Sequence, residues 1–129
     1  MTQEEQRALI LSVGTHKVAR PLAPTEVTRL LQRAIGHGAT RSELAEFFLL
    51  GKPAVSTFLR LGDIVPEARE LAGWGRTQPG TVPFSTIAEL SRLPRRDHTA
   101  TATAILKYQL TWQEVVQVAQ ISNRNNKPT

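Results

Sequence analysis

The chain has 129 residues, 40% of them hydrophobic and 21% charged, and a formal charge of +5. Those figures fit one folded domain with its own core and point to an anionic partner, nucleic acid first. It has no cysteine, no apolar run near the roughly 20 residues of a membrane span, and only 5% aromatic residues; this excludes disulfides, thiolate metal sites, a spanning helix and a ladder for stacking single-stranded bases.

The polar start, MTQEEQ, is unlike a secretory signal and agrees with a cytoplasmic protein. Residues 2–13 read as a first helix. Thr2 and Glu5 form a capping-box pair, and Leu9, Ile10 and Val13 supply its apolar edge. Gly14 ends it, and a basic linker with Lys17 and Arg20 follows. Pro24 opens the next helix, with Glu26 in its first turn and Val27, Leu30, Leu31, Ala34 and Ile35 as its stripe. Arg29 and Arg33 lie one turn apart on its exposed side. Gly36 and Gly38 stop it.

Residues 40–61, TRSELAEFFLLGKPAVSTFLRL, carry the densest pattern in the chain. Thr40 caps a helix and Glu43 completes its capping box. Leu44, Ala45, Phe48 and Leu49 give that helix one apolar face. Gly51 and Pro53 mark a tight join to a second helix, in which Val55, Phe58 and Leu59 face inward. Lys52, Ser56, Thr57 and Arg60 fall on its other side. This is the layout of a helix-turn-helix, whose second helix enters the major groove. Small side chains let such a helix approach base edges, and the cations reach phosphate or guanine. The expected DNA-binding set is Arg41, Lys52, Pro53, Ser56, Thr57 and Arg60. Helix-turn-helix sequences commonly hold glycine where this chain has Leu49. A left-handed leucine is strained, so the turn is expected to shift toward Gly51.

After Leu61, Gly62 and Asp63 break the helix, and Ile64 and Val65 are read as buried. Pro66 starts a short helix, EARELA, that runs to Gly73. The segment WGRTQPGTVP reads as a loop anchored by Trp74. Residues 84–93 read as a helix with Phe84, Ile87, Ala88 and Leu90 apolar, stopped by Pro94. Arg92, Arg95 and Arg96 cluster at its end, suited either to the helix dipole or to phosphate. Asp97 is expected to cap a helix through Lys107, with a strand as the rival reading of its Thr-Ala alternation. Thr111 and Glu114 form a third capping box, and Trp112, Val115, Val116 and Ala119 should face inward on the last helix. SNRNNKPT reads as a polar tail. Lys17, Arg20, Arg29, Arg33, Arg76, Arg92, Arg95 and Arg96 are the further candidates for phosphate contacts.

In order and spacing, residues 22–121 resemble the central DNA-binding domain of ParB-type partition proteins and their KorB-like repressor relatives. LAPTEVTRLLQRAI resembles the helix before that family's helix-turn-helix, and residues 40–61 match the motif itself. GDIVPEARELAG, VPFSTIAELSRLP and LTWQEVVQVAQ resemble the three segments that follow. The resemblance implies binding to inverted-repeat duplex DNA, commonly as a homodimer, by a regulator or site-binding protein of a plasmid, phage or mobile element. The family's N-terminal nucleotide-binding domain and its C-terminal dimerisation domain have no counterpart in the sequence. CTP binding and clamp sliding are therefore not implied.

Enzymatic chemistry has little to rest on. His16, His37 and His98 have no ligand spacing, and GKPA lacks the rest of a P-loop. The expectation is an all-α, multi-helix single domain built around a helix-turn-helix, without cofactor or metal. Its parts are an N-terminal helix and linker (1–21), the DNA-binding domain (22–121) and a tail (122–129). The rival is a protein-interaction adaptor that uses the same scaffold. DNA binding calls for Lys52 and Arg60 exposed and continuous with Arg29, Arg33 or Arg41. An adaptor calls instead for an exposed apolar patch such as Phe47, Leu50 or Trp74.

Overall fold

The computed structural model describes residues 1–13, 20–74 and 80–125, the last four by backbone alone. The chain is all-α, and it divides into two compact units, Met1–Gly62 and Asp63–Thr129, a division that falls within residues 22–121.

The first unit holds α1 (Gln3–Ser12), α2 (Pro24–Gly36), α3 (Arg41–Phe47) and α4 (Lys52–Leu61). Local chemistry sets where each begins. Thr2 and Thr40 accept the backbone N–H of Glu5 and Glu43, whose carboxylates reach back to the cap N–H groups. Ala23 has no side-chain oxygen, yet Glu26 still takes its N–H, and Pro24 begins the helix in a conformation its ring favours. Helix α4 packs on both α2 and α3, and α1 packs on α2. Val27, Leu31, Val55 and Leu61 are fully enclosed, with Leu9, Leu44 and Phe58 beside them in the core. The Thr28 hydroxyl, also buried, reaches the Phe58 carbonyl across the α2–α4 contact at 2.6 Å. Ile10 does not join this core; it is 48% exposed, because α1 turns Leu9 and Val13 inward instead.

Leu49 corrects an expectation. The turn does not shift toward Gly51: Leu49 itself takes φ 54°, the left-handed conformation. The N–H of Leu50 closes on the Ala45 carbonyl (2.8 Å) and that of Leu49 on the Glu46 carbonyl (3.3 Å), the paired bonds of a Schellman cap. The same bonds end α2, where Gly38 holds the left-handed position. At Leu49 the side chain points away from the core and is 92% exposed. Two hydrogen bonds and the burial of the neighbouring Phe48 hold the strained residue in place.

The second unit contains α5 (Pro66–Arg69), α6 (Phe84–Ala88), α7 (His98–Tyr108) and α8 (Trp112–Asn125). Its centre is a 3-10 turn, Glu89–Arg92, packed against α6, α7 and α8, with Ile87, Ala88 and Leu90 fully buried. The stretch 84–93 is thus not one α-helix. Leu93 precedes proline and is extended (φ −100°, ψ 156°), so the helix closes early and its last turn tightens. The helix expected through Ala72 likewise stops at Arg69. Ala72–Gly73 (β1) instead pairs in parallel with Val82–Pro83 (β2), a two-residue bridge too short to leave a periodic signal. Trp74 anchors this region as expected: its ring stands edge-on to Phe84 at 5.4 Å and 69°.

The Thr-Ala segment is helical, but Asp97 is not its side-chain cap. Asp97 lies in a 3-10 turn, Arg95–Asp97, which feeds directly into α7 and supplies the opening carbonyls itself. Gln109, at φ 54°, closes α7 in the same left-handed way as Leu49. Glu114 caps α8 with Thr111. Trp112 is 47% exposed rather than inward, since Val115 and Ala119 take the buried side. Helix α8 also continues to Asn125, into the residues read as tail.

His98 is 1% exposed and bridges two backbone groups of different segments. Its Nδ1 accepts the Val65 N–H (3.3 Å), and its Nε2 lies 3.0 Å from the Leu93 carbonyl, to which Nε2–H donates. His98→Phe keeps the bulk and strands both groups. It should lower the unfolding free energy by about 2–4 kcal/mol, read by urea denaturation; a loss below about 0.5 kcal/mol would remove His98 as a bridge. Leu49→Gly should act oppositely and raise stability by about 0.5–1 kcal/mol, because glycine carries no left-handed penalty. An unchanged or lower urea midpoint would show that Leu49 is not strained.

Candidate nucleic-acid interface

Helix α4 presents Lys52, Ser56 and Arg60 at spacing four along one line, with Pro53 and Thr57 beside them. No carboxylate occurs anywhere in α4 (KPAVSTFLRL). Its outward face is therefore cationic and hydroxylic. Lys52 and Pro53 are exposed; Ser56, Thr57 and Arg60 are half-buried. Arg41 joins them from α3, its Nη1 donating to Ser56 Oγ at 3.3 Å. Thr57 donates its hydroxyl to the Pro53 carbonyl one turn back (2.9 Å), and Arg60 Nη2 lies 3.5 Å from Thr57 Oγ1. The Arg60 guanidinium thus lies along its own helix, with Nε enclosed. All six residues of the expected set belong to α3 and α4, and the Arg41–Ser56 contact ties the two helices together at their surface.

The further cations are dispersed. Lys17 and Arg76 lie outside the described residues. Arg20 donates to the Ser12 carbonyl and so closes the end of α1. Arg33 pairs with Glu5 of α1, while Arg29, one turn before it, is exposed. In the second unit Arg92 pairs with the buried carboxylate of Glu89 (2.8 Å), and Arg95 donates to the Asp63 carbonyl (2.9 Å). Arg96 is exposed. Four of these arginines thus hold structure together, and for all but Arg92, three residues from its partner, spacing did not disclose that role.

An apolar surface adjoins α3. Phe47 is 57% exposed, and its ring stands edge-on to Phe48 at 4.8 Å. Phe47 and Phe48 line a shallow groove of about 200 Å³ with Met1, Gln6, Ala39 and Leu44. Leu50 and Trp74 are half-buried, whereas Leu49 is almost wholly exposed, a feature its place in an apolar repeat concealed. Among the described residues, no three His, Asp or Glu side chains converge as metal ligands, and no helix is long and apolar enough to cross a membrane. No protein-family model, curated protein or solved structure matches the chain.

The Glu5–Arg33 pair gives a pH test of this unit. The Thr2 backbone N–H, and then the Arg33 guanidinium, hold the Glu5 carboxyl down to about 2 from its ordinary 4.5. A lowered value means that the interaction is intact above pH 4.5 and is lost as the pH falls toward 2. In Arg33→Ala the Glu5 midpoint, followed by carboxyl carbon NMR, should rise yet stay below 4.5, since the Thr2 N–H remains. A wild-type midpoint at 4.5 would mean that neither contact persists in solution.

Proposed function

We propose that the chain binds double-stranded DNA through α4, as a helix-turn-helix protein in which α3 and α2 brace the reading helix. The observation that carries this reading is the outward face of α4: no carboxylate, short hydroxylic side chains at Ser56 and Thr57, and cations at Lys52, Arg60 and Arg41. Short side chains allow close approach to base edges, and cations neutralise phosphate. The resemblance to ParB- and KorB-type domains agrees with this and extends it. It favours an inverted-repeat site bound by a homodimer, within a nucleoid-associated regulator or site-binding protein of a plasmid, phage or mobile element.

A second reading has its own support. Phe47 and Leu49 offer exposed apolar surface beside the same helices, as an adaptor that docks another regulator would. The two readings place the contact on different side chains, so they separate cleanly.

The deciding experiment is a salt titration of binding to a pool of random duplexes, followed by sequencing of the bound fraction. Binding should weaken steeply with salt and enrich one motif. Lys52→Ala should reduce the slope of log K against log salt by about 0.9, the release associated with one phosphate contact. Phe47→Ser should leave both slope and motif unchanged. No enrichment, with weak affinity at low salt, would sink the DNA reading and favour the adaptor.

A further inference from the structure

Ser56 and Thr57 are neighbours on α4, and an arginine faces each hydroxyl oxygen, yet only Thr57 has its proton committed. A hydroxyl has one proton to donate and two lone pairs to accept with. Thr57 spends its proton on the Pro53 carbonyl. Three other helical hydroxyls, those of Ser12, Thr28 and Thr103, also reach the carbonyl four residues back. Ser56 does not. Its oxygen instead accepts from Arg41 Nη1, and a guanidinium can only donate. One lone pair of Ser56 is thereby occupied, and a positive charge stands on that side. The proton and the second lone pair remain on the other side, the guanidinium charge disfavours a further donor there, and among the described residues the proton meets no acceptor.

We infer that Arg41 is a specificity-positioning residue, which biases Ser56 toward donating to the DNA rather than reading the DNA itself. This rests on the proposed DNA-binding role of α4. In the major groove a donor suits guanine O6 and N7, adenine N7 or thymine O4, and it opposes the amino group of cytosine N4. The base against Ser56 is therefore one that presents an acceptor, and cytosine is selected against. Without Arg41 both lone pairs are open and no positive charge opposes a second donor, so a donor on the base is accepted as well. Thr57 is the complement. Its proton is spent on the Pro53 carbonyl and one lone pair faces Arg60 Nη2 at 3.5 Å, so toward a base it can act only as an acceptor or through its methyl group.

The test compares the full chain with Ser56→Ala, Arg41→Ala and Arg41→Met by selection from random duplexes, with affinities then measured for all four bases at each enriched position. Ser56→Ala identifies the position that Ser56 contacts. There the wild-type protein should disfavour cytosine by about tenfold, somewhat less than a two-bond contact achieves. Both Arg41 variants should bring that ratio close to one at this position alone. Arg41→Met retains the aliphatic stem, so agreement between the two variants separates lost polarity from lost packing. Three results would overturn the inference. One is a preference for cytosine at the Ser56 position. Another is uniform weakening by the Arg41 variants with base preferences intact, which makes Arg41 a phosphate contact only. The third is a wild-type protein that enriches no motif, which removes the DNA-binding reading together with the inference.

Discussion

The surface of α4 depends on how α4 is held from behind, and the Thr28 hydroxyl is central to that. It sits in the apolar stripe of α2, between Val27 and Leu30, almost fully buried, and reaches the Phe58 carbonyl at 2.6 Å. Apolar contacts alone allow one helix to slide or rotate on another at little cost, whereas a buried hydrogen bond between named atoms specifies one register. With Phe58 tied to α2, Val55 and Leu61 complete the inner face. Lys52, Ser56 and Arg60 are then obliged to point out. Helix α3 adds the second brace through Leu44, Ala45 and Phe48. A threonine in a helix core, which helix propensity does not favour, has its physical reason here.

The same hydroxyl chemistry shapes the outward face, where burial is not the issue. A serine or threonine inside a helix normally returns its proton to its own backbone and so offers little that is directional to a partner. Thr57 follows that habit. Ser56 does not; its oxygen accepts from Arg41, the first residue of α3. The position of Arg41 in turn follows from the Thr40–Glu43 capping box, which sets where α3 begins. A local cap thus sets the start of α3, from which Arg41 reaches a side chain 15 residues further on.

What was legible in the sequence was local. Thr2 with Glu5, Thr40 with Glu43 and Thr111 with Glu114 each announce a helix start through contacts three residues apart, and each forms. The all-α class and the grouping of Arg41, Lys52, Ser56 and Thr57 on α3 and α4 follow from those starts and from the apolar spacing. The rest is set by distant partners. Leu49 fits an apolar repeat, but the Schellman bonds to Ala45 and Glu46 place it in the left-handed turn with its side chain in solvent. The Ala72–Val82 bridge is two residues long and has no period to find. Arg33 finds Glu5 28 residues away, and Arg95 finds the Asp63 carbonyl across 32. The availability of Arg33 and Arg95 cannot be read from their neighbours in sequence.

That last point bears on how the net charge of +5 acts. Long-range attraction to an anion depends on total charge, but contact affinity depends on cations that can leave their present partners. Within the first unit, Arg33 must give up the Glu5 carboxylate and Arg20 the Ser12 carbonyl before either can hold a phosphate. Each exchange trades one charge-assisted bond for another and returns little net free energy. Lys52 is exposed and stands on an acid-free helix, and Arg29 is exposed on α2. On the proposed DNA-binding reading, contact with phosphate falls first on these two. The same reading leaves the hydroxyls of α4 to distinguish one duplex from another. On that reading affinity and selectivity reside in different side chains, Lys52 and Arg29 against Ser56 and Thr57, so each can change without loss of the other.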